Sequence, residues 1–316
     1  MKTRVCDIFG IEYPILQGAM AWVSFAPLVA AVSNAGGLGI IGGTIFMPEQ
    51  MRAEIRKVRE LTDKPFGVNI ISLHPMIQEI LEVLIEEKVL VATYGTGNPK
   101  KIIDRLKPGK VMSFPVVPTI SSAVRAEKDG ADGVIVSGCE GGGHVGLMST
   151  MALIPQARDQ VKIPLVAAGG IADGRGMAAA FALGAEGIQM GTRFIVTKES
   201  PAHPNIKKKI IASRAEDTLV TGNITGLPVR CLRNPMSEQF AAMENTGKSK
   251  MEMAMFGSGK MQLAFVQGDA ENGSIMAGQI AGLIQDEPAC AELIQRLLKE
   301  FEETLQTLQS LLSGRL

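Results

Sequence analysis

One histidine stands at the end of a glycine-rich segment, SGCEGGGHVG, at residues 137–146. The chain has only three histidines, and His144 directly follows Gly141, Gly142 and Gly143. A histidine with a pKa of about 6.5 exchanges protons at neutral pH, whereas a histidine in a turn can simply bond its own backbone. Three flexible glycines are a poor support for a purely structural ring. We therefore predict that His144 is a general acid beside a ligand.

The same segment carries two more polar side chains, Cys139 and Glu140. Glu140 can accept hydrogen bonds from ligand hydroxyl groups or can be a solvated loop carboxylate, and the sequence leaves both possibilities open. Cys139 has no base or nucleophile motif around it, so a packing role is favoured over a catalytic thiolate. His74 and His203 each precede a proline, and we expect turn or surface positions for both.

Two further glycine-rich segments predict a phosphate site. AAGGIADG contains Gly169 and Gly170, and QMGTRF contains Gly191 and Thr192. Because glycine has no Cβ, an anion can approach its N–H group closely, and a helix beginning near Asp173 would add its positive N-terminal end. The alternative is that these glycines only form tight turns. Two such segments in succession favour phosphate binding.

Small and polar residues elsewhere suit a planar heterocycle. Gly18, Ala19 and Met20, in QGAMAW, form a stretch along which a flat ring can lie, with Met20 as a polarizable wall. Ordinary core packing is the alternative for Met20. Asn69, near the end of FGVNII, needs hydrogen-bond partners if it is buried. Either a heterocycle edge or the backbone would satisfy its amide.

Eight short apolar segments are spaced along the first two thirds of the chain, separated by helix-like stretches. They span residues 14–20, 38–43, 66–71, 89–95, 110–117, 133–138, 164–170 and 187–194. Most are near-continuous apolar runs, as in parallel strands that are covered on both faces. Eight alternations predict an α/β fold of the (β/α)₈ TIM-barrel type rather than a doubly wound open sheet. The glycine-rich segments would then follow the strands, where barrels bind ligands.

The strand–helix rhythm changes after residue 196. We predict that residues 197–260 form a cap insertion after strand eight, and that residues 1–196 and 261–316 form the barrel with a C-terminal helix. The apolar stripe of that helix comprises Ile294, Leu297, Phe301, Leu305, Leu308 and Leu312. The stripe predicts docking against the barrel, with a partner helix as the alternative.

Composition excludes several classes of protein. The 32 basic residues match the 32 acidic ones, so net charge gives no basis for nucleic-acid binding. No apolar run reaches the roughly 18–20 residues that a membrane span needs, and the first residues lack a signal-peptide layout. The four cysteines are widely spaced, which predicts reduced thiols, no metal site and a cytoplasmic protein.

In combination, the motifs resemble the flavin-dependent enoyl-acyl-carrier-protein reductases and the related nitronate monooxygenases, and the reductase branch is the better match. The similar segments include QGAMAW, DKPFGVNI, EGGGHVG, IPLVAAGGIADGRG, LGAEGIQMGTRF and SIMAGQIAGL, in this order along nearly the whole chain. The resemblance implies a barrel that holds FMN, with NADPH or NADH as co-substrate. It implies an enoyl thioester on acyl carrier protein as the substrate. Relatives are commonly homodimers, and several respond to a monovalent cation.

The resemblance also assigns roles to the residues introduced above. His144 matches the catalytic histidine, which would protonate the α-carbon of the substrate or polarise its thioester. The flavin ring would contact Gly18, Ala19, Met20 and Asn69. The ribityl chain would face Glu140. The phosphate would be held by Gly169 and Gly170, and by Gly191 and Thr192, which follow Gln189.

Three other functions remain open at this point. A nitronate monooxygenase would use the same site, with the histidine taking a proton from a nitroalkane. An IMP-dehydrogenase-like barrel shares some glycine motifs, but its cysteine loop is not matched by SGCEGGGH. A non-catalytic flavin- or phospholigand-binding protein would not need His144. The run Lys207–Lys209 can be a patch for an acidic carrier protein, although a solvated surface is favoured.

Overall fold

The structure, a computed structural model, describes residues 2–95 and 97–312. Its strands are β1 (Ile15–Gln17), β2 (Gly39–Gly42), β3 (Phe66–Ile71), β4 (Val91–Gly95), β5 (Met112–Val117), β6 (Val134–Ser137), β7 (Gly143–His144), β8 (Leu165–Ala168), β9 (Gly187–Met190), β10 (Thr218–Thr221) and β11 (Val229–Leu232). Eight of them form one parallel sheet in the order β1-β9-β8-β6-β5-β4-β3-β2. This sheet confirms the predicted (β/α)₈ TIM barrel.

Helices alternate with these strands and continue beyond them. They are α1 (Arg4–Phe9), α2 (Ala26–Asn34), α3 (Pro48–Leu61), α4 (Ile77–Glu86), α5 (Pro99–Leu106), α6 (Ile120–Asp129), α7 (Thr150–Gln160), α8 (Gly174–Ala182), α9 (Thr192–Ile195), α10 (Pro204–Ile211), α11 (Pro235–Glu244), α12 (Lys250–Gly257), α13 (Lys260–Phe265) and α14 (Cys290–Leu312). Short 3₁₀ helices span Gly43–Ile45, Lys107–Gly109, Ala215–Asp217, Asn223–Thr225 and Gln279–Leu283. No helix within the described residues is both long enough and apolar enough to span a bilayer.

The barrel closes between β1 and β2. Gln17 N–H donates to Leu38 O at 2.9 Å, and Leu38 N–H donates to Ile15 O at 2.9 Å. Leu16 and Leu38 form a single parallel bridge there. Two hydrogen bonds and one bridge join the first and last strands of the sheet, so the barrel is nearly continuous.

Alternation along the strands separates two apolar cores. Leu16 and Ile135 pack in one cluster with α1, whereas their neighbours Ile15 and Val134 pack in a second cluster with the surrounding helices. Successive side chains of a strand point to opposite faces of the sheet, so both faces of these near-continuous apolar strands are buried. A fully buried aliphatic side chain of this size contributes about 1.5–3 kcal/mol.

A second, antiparallel sheet lies outside the barrel and consists of β10, β11 and β7 in that order. β7 belongs to the glycine-rich segment after β6, and its His144 pairs with Val229 of β11. The predicted cap segment, residues 197–260, therefore contains regular structure and holds the histidine segment. The division of the chain into a barrel and a cap stays a prediction.

The C-terminal helix α14 docks on the barrel along its first half. Ile294 and Leu297 are buried, and the ring of Phe301 meets that of Phe181 of α8 at 5.8 Å between centroids. Further along, Leu305 is 45% exposed and Leu308 50% exposed. The docking prediction is confirmed for the first half of the stripe, and the second half faces solvent.

Candidate active site

A cavity of about 360 Å³ lies at the C-terminal ends of the barrel strands. Its volume is within the usual range for small-molecule sites. The residues singled out from the sequence all line it, namely Gly18, Ala19, Met20, Asn69, Glu140, His144, Gly169, Gly170, Gln189, Gly191 and Thr192. The structure thus brings every candidate site residue to one cavity. What each of them binds stays a prediction.

Sequence reasoning missed a group of lining residues. They are mostly apolar and include Ser137, Leu227, Met261, Phe265, Met276, Gly278 and Ile280. Met276, Gly278 and Ile280 belong to the SIMAGQIAGL segment, which carries part of the family resemblance but no ionisable residue. Leu227 and Phe265 have no local sequence signal, because only the fold brings them to the cavity.

The loop after β8 forms a cradle of free donors. Gly169 and Gly170 have φ angles of +88° and +70°, a conformation that glycine adopts without a steric cost. Within the described residues, the N–H groups of Gly169, Gly170 and Gly191 donate to no other backbone group. Unpaired N–H groups on a cavity wall are the donors that a phosphate needs. The cradle therefore fits the phosphate of a cofactor.

The N-terminus of α8 does not contribute, contrary to our expectation. The helix begins at Gly174, as predicted, but Glu300 accepts the N–H of Gly174 at 2.9 Å. Asp173 accepts the N–H groups of Arg175 at 3.0 Å and Gly176 at 3.1 Å. These donors are occupied by protein carboxylates, so the prediction that this helix end binds a phosphate is wrong.

The loops after β1 and β9 are held together by buried polar contacts. Gln17 is fully buried, and its side-chain amide donates to Gly18 O at 2.5 Å and to Ser24 Oγ at 2.8 Å. Gly18 N–H donates to Met190 O at 2.8 Å. A Cβ on Gly18 would lie 3.1 Å from the Gln189 side chain. Glycine at position 18 therefore leaves room for the Gln189 side chain.

Thr192 and Asn69 each have a protein partner. Thr192 Oγ1 accepts the N–H of Gly278 at 2.9 Å, which ties the C-terminal segment to the loop after β9. The Asn69 amide donates to Thr93 Oγ1 at 2.9 Å and to Thr93 O at 3.1 Å. One of the two possibilities considered for Asn69, a hydrogen bond to the backbone, is therefore present. The residue also lines the cavity.

Glu140 is half-buried and has protein partners. Both of its carboxylate oxygens lie 3.0 Å from the N–H of Thr150, the first residue of α7, and Thr150 Oγ1 lies 3.0 Å from Oε2. A carboxylate is stabilised at a helix N-terminus by the helix dipole. Thr150 Oγ1 also lies 3.0 Å from Gly169 O. Thr150 therefore links the glycine-rich segment to the phosphate cradle.

Replacement of Thr150 by valine tests this link. Valine keeps the shape and the backbone N–H but removes the hydroxyl, so we expect a loss of about 1–2 kcal/mol in the free energy of unfolding. Chemical denaturation of Thr150→Val against the wild type measures it. A matched control is Thr307→Val, an exposed residue of α14 whose hydroxyl donates to Glu303 O within its own helix. Equal stability of the Thr150→Val and wild-type proteins would contradict the link.

Close packing accounts for one of the three glycines before His144, and backbone conformation accounts for another. A Cβ on Gly142 would lie 2.7 Å from the carbonyl carbon of Ala277, and Gly143 has a φ of +79°. The backbone of this segment approaches the C-terminal segment, and Gln279 N–H donates to Glu140 O at 2.9 Å. The glycines therefore allow the loop to pack and to turn into β7, which presents His144 at the cavity.

Partial burial lowers the pKa of His144 below its ordinary value. The residue is exposed by surface area, since it faces the open cavity, but the protein around the ring still removes part of the water that would stabilise the imidazolium. The neutral imidazole, with one N–H donor and one acceptor nitrogen, is therefore the major form at neutral pH. In the folded chain the ring takes up its proton at a lower pH than in the unfolded chain, so stability falls as the pH drops below about 6.5.

We expect the same titration in the activity. If the neutral ring acts, the rate is constant at neutral pH and falls only at a pH below about 6.5. The profile of kcat/KM between pH 5 and pH 8 measures this, and His144→Gln should lack the acid limb. A rate that rises as the pH falls from neutrality would mean that the imidazolium is the active form.

Cys139 and the other two histidines have structural surroundings. Burial and the neighbouring Glu140 charge raise the pKa of the Cys139 thiol, so a thiolate nucleophile is not favoured. His74 Nδ1 accepts the N–H of Met76, and His203 Nδ1 accepts the N–H of Asn205, which confirms their turn positions. The four cysteines are unpaired. No group of three potential metal ligands occurs in the part of the chain that the structure describes.

The lysine run is not a uniformly solvated surface. Lys207 is buried, and its Nζ donates to Thr197 O at 2.7 Å and to Glu287 at 2.8 Å. Lys208 is exposed and Lys209 is half-buried. The prediction that the whole lysine run is solvated is therefore wrong for Lys207. A surface patch that binds a carrier protein would also lack the charge of Lys207, because that side chain is buried.

The family model for nitronate monooxygenase matches residues 2–83 and 76–300. The structure of FabK from Thermotoga maritima is 48% identical, covers 98% of this chain and 99% of that chain, and gives a TM-score of 0.96. A nitroalkane oxidase from Streptomyces ansochromogenes is 29% identical over 97% of this chain and 100% of that chain, with a TM-score of 0.87.

Two curated relatives have different names. The (3aS,4S,5R,7aS)-5-hydroxy-7a-methyl-1-oxo-octahydro-1H-indene-4-carboxyl-CoA dehydrogenase of Mycobacterium tuberculosis is 35% identical and covers 98% of this chain and 99% of its own length. A probable nitronate monooxygenase of Staphylococcus aureus is 32% identical and covers 96% of this chain and 99% of its own length. With matches of this extent, the chain belongs to the nitronate monooxygenase family of oxidoreductases.

Proposed function

We propose that this protein is an FMN-dependent reductase of enoyl thioesters, with NADPH or NADH as the hydride source and an acyl-carrier-protein thioester as the substrate. The 48% identity to FabK, the enoyl-acyl-carrier-protein reductase of this family, exceeds the 29% identity to the nitroalkane oxidase. The name of the Mycobacterium relative specifies a carboxyl-CoA substrate, which is also a thioester. These similarities favour thioester chemistry.

The ionisable residues of the cavity wall favour the enoyl reductase over the nitronate monooxygenase. Among the described residues that line it, Glu140 and His144 are the ionisable ones, and no lysine or arginine is among them. Burial favours the neutral form of His144. A nitronate is an anion and would enter without a cationic partner, which is costly away from water. An enoyl thioester is neutral and needs only apolar surface and a hydrogen-bond donor.

The cavity residues are suited to hold FMN. The free N–H groups of Gly169, Gly170 and Gly191 would hold the phosphate, and Gly18 and Met20 would line the ring. When bound, FMN supplies the hydride chemistry, because a flavin can take a hydride from a nicotinamide and give it to a carbon. The protein supplies the position of the reactants and the electrostatics around them.

His144 would act on the thioester itself. A neutral imidazole can donate its N–H to the thioester carbonyl oxygen and so stabilise the negative charge that develops there when the β-carbon receives a hydride. The lowered pKa favours the neutral ring in this polarising role. After the hydride transfer, the α-carbon of the enolate would take one proton from solvent water, which completes the saturated thioester. The apolar wall, including Met276, Phe265 and Ile280, would exclude water from the reacting atoms.

Anaerobic stopped-flow absorbance tests the proposal. NADPH or NADH is mixed with the purified yellow protein, crotonyl thioester follows, and the visible flavin band is recorded. We expect fast bleaching by the nucleotide and fast recovery of the band on addition of the thioester. Slow bleaching by both nucleotides, together with rapid bleaching by a nitronate, would replace the proposal with the monooxygenase. A purified protein without flavin would contradict both.

Nitronate monooxygenase is the second candidate, and one structural feature favours it. A neutral imidazole is a base, and a nitroalkane substrate must lose a proton to become a nitronate. His144 has the pKa direction that such a base needs. The same stopped-flow experiment distinguishes this candidate, because nitronate rather than NADPH or NADH would then reduce the flavin.

A further inference from the structure

A buried arginine lies next to the strand that carries His144. Arg230 of β11 is 9% exposed, and its backbone pairs with Gly143 of β7. Its Nε donates to Cys139 O at 2.8 Å, and its Nη1 donates to Thr218 Oγ1 at 2.9 Å. One residue therefore contacts the glycine-rich segment at Cys139 and at Gly143 and links it to Thr218 of β10.

Charge pairing does not explain this arginine. Within residues 2–95 and 97–312, its hydrogen bonds go to a carbonyl and a hydroxyl oxygen rather than to a carboxylate. A buried charge without a counter-ion costs several kcal/mol, so simple packing would favour an apolar side chain. The planar guanidinium, in contrast, directs several donors at fixed angles. The arrangement thus uses the geometry of arginine, which lysine lacks.

The histidine segment is held through its backbone and through Glu140, and not through the imidazole ring. Gly141, Gly142 and Gly143 have no side chains, and the His144 imidazole makes no hydrogen bond to the part of the chain that the structure describes. After the histidine, Val145 N–H donates to the carbonyl oxygen of residue 228 at 3.1 Å. The position of the ring therefore depends on how its backbone is held: by Arg230 at Cys139, by Gln279 at Glu140, and by β11 at residues 143–145.

We propose that Arg230 is a positioning residue for His144: its contacts to Cys139 O and Thr218 fix the backbone from which the imidazole reaches the cavity. The effect on turnover rests on the proposed function, whereas the effect on the ring does not. A displacement of about 1 Å in a reacting group can cost about 100-fold in rate. Loss of this contact should therefore lower the rate of the step in which His144 acts.

A double-mutant cycle tests the coupling. Arg230→Lys keeps the charge and removes the fixed pair of donors. We expect a drop of about 10–100-fold in the rate of flavin reoxidation by crotonyl thioester, while FMN remains bound. In a His144→Ala background the same change should lower the rate by less than about twofold, because Arg230 acts through the missing ring. An equal loss in both backgrounds would show a general structural role and overturn the proposal, as would an unchanged rate.

Two further variants distinguish loss of the Arg230 contacts from a general folding defect. Thr218→Val removes one acceptor without a change in charge, and its smaller rate loss should also vanish in the His144→Ala background. Arg233→Lys is the matched control, because Arg233 lies three residues along, is half-exposed, and pairs with Glu238 at 3.5 Å. We expect wild-type rates from it. A rate loss in Arg233→Lys equal to that of Arg230→Lys would overturn the proposal.

A readout without substrate separates this proposal from the proposed function. The chain has three histidines, so ring-labelled histidine gives three imidazole signals by NMR, and His144→Ala identifies one of them. We expect the His144 signal to shift or split in Arg230→Lys and Thr218→Val, and those of His74 and His203 to stay. An unchanged His144 signal would overturn the proposal. Absence of thioester turnover in the wild type would overturn only the proposed function.

Discussion

His144→Ala should keep FMN and lose most enoyl-thioester reduction. The variant removes the donor that we place at the thioester carbonyl, and general acid–base or hydrogen-bond catalysis by one side chain contributes about 10²–10⁴-fold. The loss should appear in kcat and kcat/KM together, because the interaction belongs to the transition state. FMN absorbance per protein and steady-state rates measure the two parts. His144 makes no hydrogen bond to the cradle glycines within the described residues, so cofactor retention should not change.

A comparison of two substitutions identifies the chemical role of the ring. Glutamine can donate a hydrogen bond but cannot exchange a proton near neutral pH. Partial activity in His144→Gln, with almost none in His144→Ala, would indicate polarisation of the carbonyl. Equal loss in both would indicate proton transfer. His203→Asn is the control, since Asn also caps a helix and His203 does so at α10. Full activity of His144→Ala would remove His144 from the mechanism.

Much of the barrel could be predicted from the sequence, because a strand that is buried on both faces is a short, continuous run of apolar residues. The apolar segment at 66–71 coincides with β3. The segment predicted at 187–194 is longer than β9, which ends at Met190, since Thr192 already begins α9. Apolar runs show where a strand lies but not which residue begins the next helix. Boundaries depend on caps and loop contacts, and these come from other parts of the chain.

The features that sequence reasoning missed are held by distant partners. β7 is two residues long, includes a glycine, and forms only because Val229 and Arg230 pair with it. The N–H of Gly174 is taken by Glu300, which lies 126 residues further along the chain. Lys207 is buried because Glu287 meets it from 80 residues away. Local patterns contain no information on such pairs.

The candidate site was predictable for a different reason. Glycines and polar residues after successive barrel strands must meet at one end of the barrel, so correct strand positions place Gly18, Asn69, Glu140, Gly170 and Gln189 together. The chemistry of the wall, in contrast, required the structure, because the residues between β9 and α14 reach the cavity through the fold alone. The predicted homodimer and the monovalent cation stay predictions.

Gly170→Ala should release FMN without unfolding the protein. A Cβ on Gly170 would lie 3.6 Å from the Glu140 side chain, an ordinary contact, so the protein has room for it. The methyl group would nevertheless lie on the cavity wall, beside a free N–H group of the cradle. We expect the dissociation constant of FMN to rise at least about tenfold, which corresponds to about 1.4 kcal/mol. Fluorescence titration of the apoprotein with FMN measures it.

Backbone strain is the competing explanation, and the chain offers a matched control for it. Gly10, at the C-terminus of α1, has a φ of +66°, close to the +70° of Gly170, and a Cβ there would meet no atom within 4 Å. Each alanine should cost about 1 kcal/mol of unfolding free energy, since each is forced into the left-handed region. Only Gly170→Ala should weaken FMN binding. Equal FMN affinity of the Gly170→Ala, Gly10→Ala and wild-type proteins would mean that the phosphate lies elsewhere, because a methyl group in the cradle must obstruct an anion that rests on its N–H groups.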